Sequence, residues 1–357
     1  MTFEEFIMQA REMKASDIHL TVGAPTVVRV NGELRKYTEL SDQVVNRTIL
    51  SILTAEQEKQ LTEGNDIDFS FELKNGARQR VNVFRQSGKL AACIRLLNAE
   101  IPTLEELKMP PALLEFAKKR RGLVLVTGPT GAGKSTTLAA MVEYINKTRA
   151  CHIITIEDPI EYRYTQQKAT IHQRELGRDV PTFASALRSA LREDPDVILI
   201  GEMRDYETIS LAMTAAETGH LVFGTLHTSS AAQTIDRIID ACPTYAQEQT
   251  RSQLANMIQG IVAQSLVPTS DGKGRVAAVE VMVGTDAVKN LIRTNKIPQM
   301  ESIMQSATSL GMITLNDSLA KLYQSNTITY QTAMEYCTDG TEMEKKLISS
   351  AASAVRR

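Results

Sequence analysis

The stretch Gly128-Pro129-Thr130-Gly131-Ala132-Gly133-Lys134-Ser135-Thr136 decides the fold of this chain, because it matches the P-loop pattern G-x-x-x-x-G-K-[ST] at every position. The residues before it, 122–126, predict a buried strand, and residues 137–145 after it predict a helix. Glycines let backbone N–H groups surround an anion, and the N-terminus of the following helix adds a positive dipole end. Strand, loop and helix together predict a binding site for the phosphates of a nucleoside triphosphate.

Two side chains of this loop have separate expected roles. Lys134 can reach the β- and γ-phosphates, and the Ser135 hydroxyl can ligate Mg²⁺. The alternative is a glycine-rich turn that binds nothing. The strand, the Lys-Ser pair and the helix occur in the order that the motif requires, which argues against that alternative.

Composition limits the class of protein. With 357 residues the chain can form two domains with sizeable cores, and its net charge of −2 gives no general attraction for nucleic acid or an anionic membrane. Apolar runs such as Val197–Ile200 are too short to span a bilayer. The four cysteines lie far apart without a C-x-x-C pair, which fits reduced thiols in a cytoplasm and argues against a zinc site. We expect a cytoplasmic protein without a transmembrane segment or a stable nucleic-acid partner.

Residues 1–98 predict a small α+β domain. Short alternating segments form two expected hairpins, at 27–37 and 66–84, with Asn31-Gly32 and Asn75-Gly76 at their turns. A single helix is expected at 41–62 between them. Residues 99–120 include prolines at 102, 110 and 111 and predict a linker between domains.

Residues 121–285 alternate strands with helices, which predicts an α/β core with a mostly parallel sheet covered on both faces. Helices are expected at 183–192, 207–218, 231–241 and 247–266, and a further strand at 275–283. Residues 286–357 predict a C-terminal helical region.

Polar side chains follow three of the predicted strands. Glu157 follows 152–156, Glu202 follows 196–200, and His227 follows 221–226. The carboxyl ends of parallel strands meet at one edge of a sheet, where ligands bind. Glu202 can ligate Mg²⁺ through water or polarise the attacking water, and its alternative role is a salt bridge with Arg204. Glu157 is the second candidate for the base.

His220 and His227 flank the same predicted strand and have different expected roles. Six extended residues separate them by roughly 20 Å. His227 is expected at the phosphate edge, and His220 at the opposite end in a structural or subunit-contact role.

Four blocks of the chain closely resemble the secretion-ATPase superfamily of P-loop NTPases, and within it the type IV pilus retraction ATPases. They are the P-loop and residues 153–162, 194–205 and 214–228. Residues 287–293, Ala-Val-Lys-Asn-Leu-Ile-Arg, resemble the retraction signature Ala-Ile-Arg-Asn-Leu-Ile-Arg, from which Val288 and Lys289 depart.

This resemblance implies a RecA-like core after a PAS-like N-terminal domain, a homohexameric ring, and ATP with Mg²⁺. It also implies a peripheral position at the cytoplasmic face of the inner membrane, beside the pilus platform protein. Arg80 and Arg95 match the family's N-terminal arginines that approach the nucleotide. From the residues alone, they fit a solvated strand face or ion pairs inside the small domain.

The expected function is therefore an ATP-hydrolysing hexameric motor that powers type IV pilus retraction and twitching motility. One alternative is another ATPase of the superfamily, driving pilus assembly or the transport of protein or DNA. The other is a nucleotide-dependent scaffold that does not hydrolyse ATP, against which Glu202 beside an intact P-loop argues.

Overall fold

The computed structural model describes residues 3–30, 32–73, 76–97 and 100–354, with side chains as far as residue 348. The chain forms two compact units, Met1–Glu100 with Pro159–Arg163 and Ile101–Asp158 with Tyr164–Arg357. Asn31 and Asn75 of the expected hairpin turns lie outside the described residues, as do Asn98 and Ala99 at the expected start of the linker. Residues 101–120, predicted as a linker, belong to the second unit.

The described strands of the first unit form one antiparallel sheet with the order β3-β2-β1-β6-β5-β4. The elements are α1 (Phe3–Glu12), β1 (Ala15–Thr21), β2 (Val27–Val30), β3 (Glu33–Lys36), α2 (Asp42–Leu50), α3 (Ala55–Thr62), β4 (Ile67–Glu72), β5 (Arg78–Gln86) and β6 (Lys89–Leu96). Both expected hairpins are present, and Gly32 and Gly76 have the positive φ angles of 88° and 81° that a tight turn requires.

Strand alternation explains which face of this sheet is buried. Val81 and Val83 of β5 and Ile94 of β6 are fully buried with Ile7 of α1. Arg80 and Arg95 are directly paired across β5 and β6, on the opposite face.

The single helix expected at 41–62 is wrong, because the segment forms two helices. Ser41 caps α2, and Thr54 caps α3 in a reciprocal capping box with Gln57. Thr54 with Gln57 is a sequence signature of a helix start, so this break was detectable.

The second unit is an α/β fold built on a seven-stranded sheet with the order β13-β12-β7-β11-β10-β8-β9. Its elements up to the end of the sheet are α4 (Ala112–Ala117), β7 (Gly122–Thr127), α5 (Lys134–Thr148), β8 (His152–Glu157), β9 (Thr170–Glu175), α6 (Phe183–Ala190), β10 (Val197–Ile200), α7 (Tyr206–Glu217), β11 (Leu221–Leu226), α8 (Ala231–Asp240), α9 (Gln247–Met257), β12 (Ile258–Pro268) and β13 (Arg275–Val283). Only the β12–β13 pair is antiparallel among these described strands. The predicted class, with its mostly parallel sheet, is confirmed.

Every residue of β7 is buried, and its two faces belong to different cores. Leu123 and Leu125 pack into the core that contains α6 to α9, whereas Val124 and Val126 pack with α4 and α5. Burial on both faces explains the continuous apolar runs of β7, β10 and β11. Burial on both faces also fixes the register of these three strands, and so the alignment of their carboxyl ends.

The helix expected at 247–266 is wrong in its second half. Helix α9 ends at Met257, and residues 258–268 form β12, directly beside β7. A short apolar run does not distinguish a buried strand from a buried helix by its periodicity. Strand β9 was not expected, because its sequence Thr-Ile-His-Gln-Arg-Glu carries few apolar residues.

The C-terminal region is helical, as expected. It comprises α10 (Asp286–Arg293), α11 (Met300–Ser306), α12 (Leu315–Gln324), α13 (Tyr330–Tyr336) and α14 (Gly340–Ala354). In the part of the chain that the structure describes, no helix is both long and apolar enough to cross a membrane.

Helix α4 generates a prediction about stability, because Phe116 packs against Gly260 of β12. A Cβ at Gly260 would lie 2.1 Å from Phe116 Cζ. We expect Gly260→Ala to lower the free energy of unfolding by about 1–3 kcal/mol through overpacking, measured by urea denaturation. The control is Gly274→Ala, whose Cβ would lie 3.6 Å from Thr269 Oγ1 and should change little. Equal urea midpoints for the two variants would contradict this packing.

Candidate active site

The P-loop lies in the middle of the large sheet, after a strand that has parallel neighbours on both sides. Strand β7 pairs with β11 on one side and with β12 on the other. The Gly128 N–H donates to the Leu226 carbonyl of β11 at 3.3 Å. Helix α5 follows Gly133, which has no side chain to cap it. The first N–H groups of α5 are therefore suited to an anion.

Lys134 is held against the loop that precedes it. Its ammonium group donates to the carbonyls of Gly128 at 2.7 Å and Pro129 at 3.0 Å. The neighbouring Ser135 is exposed. Positive φ angles of 143°, 81° and 87° at Gly128, Gly131 and Gly133 give the loop its curvature. These are conformations that other residues rarely adopt.

Glu202 is half-buried after the end of β10 and is the centre of an ion cluster. Its Oε1 accepts from Arg204 Nε at 2.5 Å and from His227 Nε2 at 2.9 Å. Burial by itself raises the pKa of the Glu202 carboxyl, but the hydrogen bonds and charges of Arg204 and His227 outweigh it and lower that pKa. The carboxyl group is therefore ionised at neutral pH. The structure contains both the salt bridge with Arg204 and the expected proximity to His227.

Glu157 lies at the end of β8, the neighbour of β10. Its Oε1 accepts from Thr155 Oγ1 at 2.6 Å and from Gln173 Nε2 at 3.3 Å. Gln173 belongs to the unexpected strand β9, so sequence reasoning missed this partner. Thr155 and Gln173 donate to Glu157, whereas Arg204 and His227 donate to Glu202.

Backbone and hydroxyl contacts join the strand ends that carry these side chains. The Gly201 N–H donates to the Ile156 carbonyl at 2.7 Å, which joins β10 to β8. Thr225 Oγ1 donates to the Gly201 carbonyl at 2.5 Å, and the Met203 N–H donates to the Thr225 carbonyl at 3.0 Å. The loop that carries Glu202 is thus fixed from both neighbouring strands.

The two histidines lie at opposite ends of β11. His227 directly follows the strand, and His220 precedes it. His220 Nδ1 lies 2.9 Å from the Ala215 carbonyl near the end of α7, and its own carbonyl accepts from the Gly122 N–H. His220 therefore connects α7 to the start of β7, at the far edge of the sheet.

Arg80 and Arg95 are both paired with carboxylates of the first unit. Arg80 makes a bidentate contact with Asp68, at 3.2 Å from Nε and 2.6 Å from the guanidinium NH2 group. Arg95 Nε donates to Asp17 at 3.0 Å. Ion pairs inside the small domain were one of the two arrangements that the sequence analysis derived from the residues alone.

Two buried polar residues near the site were missed. Gln264 lay inside the helix that was wrongly expected, and it contacts the P-loop. Glu280 of β13 accepts from the Ala231 N–H at 2.7 Å, at the start of the helix that follows His227. Burial raises the pKa of the Glu280 carboxyl. A polar residue in an apolar strand is the signal that could have identified both.

Comparison with known proteins identifies the family of this chain. Residues 1–346 match the family model described as "Type II/IV secretion system protein". The chain is 48% identical to a type IV pilus retraction ATPase, PilT, of Pseudomonas aeruginosa, over 94% of this chain and 98% of that protein. It is 50% identical to a twitching motility protein of Neisseria gonorrhoeae, over 86% of this chain and 83% of the relative.

A solved structure supports the same assignment. The pilus retraction motor PilT with bound ADP superposes with a TM-score of 0.89 at 48% identity, covering 97% of this chain and 99% of the other. The fold and site define a P-loop protein of the RecA-like class. The chain belongs to the type II/IV secretion system protein family. The resemblance inferred from the four sequence blocks is confirmed.

The Glu202 cluster generates a prediction about titration. Arg204→Leu removes a hydrogen bond and a charge that lower the Glu202 pKa, and leaves the burial that raises it. We expect the Glu202 pKa to rise, measured by NMR titration of ¹³C-labelled glutamate carboxyls. Arg188→Leu, which removes a partner of Glu207, is the control. A Glu202 pKa that falls or stays constant in Arg204→Leu would refute the assigned cause.

Proposed function

We propose that this protein is an ATP-hydrolysing motor that powers type IV pilus retraction. The observation that carries the proposal is an intact P-loop at the same sheet edge as the Glu202–His227 pair, in a chain that matches a retraction ATPase over nearly its whole length. Phosphoryl transfer requires mainly positioned charges, and this edge supplies a cation, helix N–H groups and an ionised carboxylate.

Nucleotide binding is assigned to the P-loop. Residues Gly128, Pro129, Thr130, Gly131, Ala132 and Gly133 would surround the phosphates with Lys134, Ser135 and Thr136. Lys134 would exchange its contacts with the Gly128 and Pro129 carbonyls for contacts with the β- and γ-phosphates. The ammonium group is hydrogen-bonded before and after binding, which lowers the free-energy cost of breaking its contacts with the two carbonyls.

Ser135 and Glu202 are the residues proposed to hold Mg²⁺. A hydroxyl and a carboxylate are the hard oxygen ligands that this ion prefers. Among the described residues, no group of three or more His, Cys, Asp or Glu side chains could hold a metal ion. The remaining ligands would therefore be water and phosphate oxygens, as is usual for Mg²⁺ with a nucleotide. Bound Mg²⁺ would neutralise charge on the phosphates.

Glu202 is the proposed base that orients the attacking water, and Glu157 remains the second candidate. The lowered pKa keeps Glu202 ionised, as an acceptor must be. The attacking water would donate to Oε2, because Arg204 occupies Oε1 of the same carboxylate. His227, which donates to the same oxygen, is proposed to act at the phosphate edge beside Glu202.

The proposed assembly is a homohexameric ring at the cytoplasmic face of the inner membrane, acting on the pilus platform protein. The first unit carries Arg80 and Arg95, which we propose act on the nucleotide of a neighbouring subunit. A guanidinium near a transferring phosphate stabilises the charge that develops there. Placing it on another subunit would couple hydrolysis to ring closure.

The proposed roles predict different defects for Lys134 and Glu202. Lys134→Ala should lose nucleotide binding, because it removes the cation that meets the ground-state phosphates. Glu202→Gln should retain binding and lose turnover by about 10²–10⁴-fold, because it removes the base. Isothermal titration with ADP and a phosphate-release assay separate the two defects.

Matched controls are available for both variants. Lys147→Ala changes an exposed lysine at the far end of α5, the helix that begins with Lys134. Glu207→Gln changes an exposed carboxylate of α7, which follows the same strand, β10, as Glu202. Both should hydrolyse ATP normally. Near-normal turnover of Glu202→Gln would transfer the assignment to Glu157. In cells lacking the gene, Glu202→Gln should leave pili that extend and do not retract; normal retraction would refute the proposed function.

The trans role of the arginines predicts complementation in mixed rings. Arg95→Ala (or Arg80→Ala) and Lys134→Ala should each be inactive alone. When mixed, some interfaces join an intact P-loop to an intact arginine, and ATPase activity should partly return. Arg85→Ala, on the same strand as Arg80, is the control and should be active alone. Absence of activity, with subunit exchange demonstrated by labelling, would count against the trans role.

A further inference from the structure

Gln264 is a buried amide of β12 in contact with the phosphate-binding loop. The residue is 3% exposed. Nε2 donates to the Ala132 carbonyl at 2.7 Å, and Oε1 accepts from Thr137 Oγ1 at 2.8 Å. Ala132 belongs to the loop, and Thr137 lies in the first turn of α5. One side chain therefore joins the neighbouring strand, the loop and the helix.

The backbone of β12 explains why this residue reaches the loop. Ala263 pairs with Thr127, the last residue of β7, so Gln264 lies beside Gly128. Val262, two residues earlier on the same face, packs with Leu138 and Met141 of α5. Residues at alternate positions of a strand share a face, which places the Gln264 side chain on the α5 side of the sheet.

Two glycines of the P-loop also pack on Gln264. A Cβ at Gly128 would lie 2.2 Å from the Gln264 carbonyl oxygen, and a Cβ at Gly133 would lie 2.9 Å from Gln264 Nε2. The first and last glycines of the loop are thus both in close contact with Gln264. The close approach gives these positions a steric reason to be glycine, in addition to their positive φ angles.

The chemistry of the contacts selects an amide. The Ala132 carbonyl needs a donor, and the Thr137 hydroxyl, when it donates, needs an acceptor. A neutral amide offers both from one branch point without a titratable proton. A carboxylate would place negative charge beside a loop that binds anions and would have no hydrogen to donate to Ala132. A lysine could not accept from Thr137.

We propose that Gln264 is a positioning residue that holds the phosphate-binding loop in its anion-binding shape before nucleotide arrives. The proposal rests on the proposed function, since it assigns a cause to the loop's affinity for phosphate. A preorganised loop binds its ligand without spending binding energy on ordering itself. Gln264 itself does not need to touch the nucleotide.

The test compares Gln264→Met and Gln264→Leu with the wild type, using ADP and AMP as probes. Met has nearly the length and volume of Gln but offers no donor to Ala132, and Leu makes neither bond. Leaving a buried carbonyl without its donor should weaken ADP binding on the order of 10–100-fold. AMP, which lacks the β-phosphate, should be affected less, so the preference for ADP over AMP should fall. Gln259→Leu, at the opposite end of the same strand, is the matched control and should retain that preference.

Melting without nucleotide separates positioning from simple destabilisation. Each variant is first shown to be folded by its melting temperature, and if Gln264→Leu is not folded, the nearly isosteric Gln264→Met and Thr137→Val carry the test. An unchanged preference for ADP in folded Gln264→Met would overturn the inference, as would an equal loss in Gln259→Leu. A wild-type protein that does not bind ADP would instead refute the proposed function, which keeps the two failures distinct.

Discussion

Strand β7 is held between two parallel neighbours, and the loop that follows it must form between the ends of both. The Gly128 N–H bonds to β11, while Gly128 and Gly133 pack on Gln264 of β12. Burial of β7 on both faces allows no slip in register, since a one-residue shift would exchange Leu125 and Val126 between two different cores. The shape of the phosphate loop is therefore a consequence of how the sheet is packed.

The same alignment of strand ends creates the electrostatics of the site. Parallel register joins Ile200 to Ile156 and to Gly224, so the residues after β8, β10 and β11 emerge together. Glu202 is thereby placed next to His227. Burial raises the pKa of the Glu202 carboxyl, but its contacts with Arg204 and His227 outweigh burial and keep it ionised. The arrangement has a chemical consequence: the contact that keeps the carboxylate charged also occupies one of its oxygens. The water activation proposed for Glu202 would therefore use its other oxygen, Oε2.

Sequence reasoning was strongest where one physical cause determines a local pattern. Glycines with an Lys-Ser pair identify the P-loop, and doubly buried strands produce the continuous apolar runs of β7, β10 and β11. It failed where the determining contact is distant in sequence: Gln264 bonds to Ala132, 132 residues away, and its strand was mistaken for helix. It also missed Gln173, whose polar edge strand has no apolar pattern. Whether Arg80 and Arg95 pair with carboxylates could not be derived, because both of the partner carboxylates belong to other strands.

The ion pairs of Arg80 and Arg95 are compatible with a role at a neighbouring nucleotide. Arg80 and Asp68 are 37% and 43% exposed, and exposed pairs contribute only about 0–1 kcal/mol. Asp17, the partner of Arg95, is only 11% exposed, so leaving it without a partner would be costly. If Arg95 moved away, Asp17 would keep two other partners: Ser16 Oγ donates to it at 2.8 Å, and Arg29 lies 4.0 Å away. A phosphate carrying several charges can therefore compete for either guanidinium. In the proposed trans role, these pairs would hold each arginine in place on the strand until such a ligand is presented.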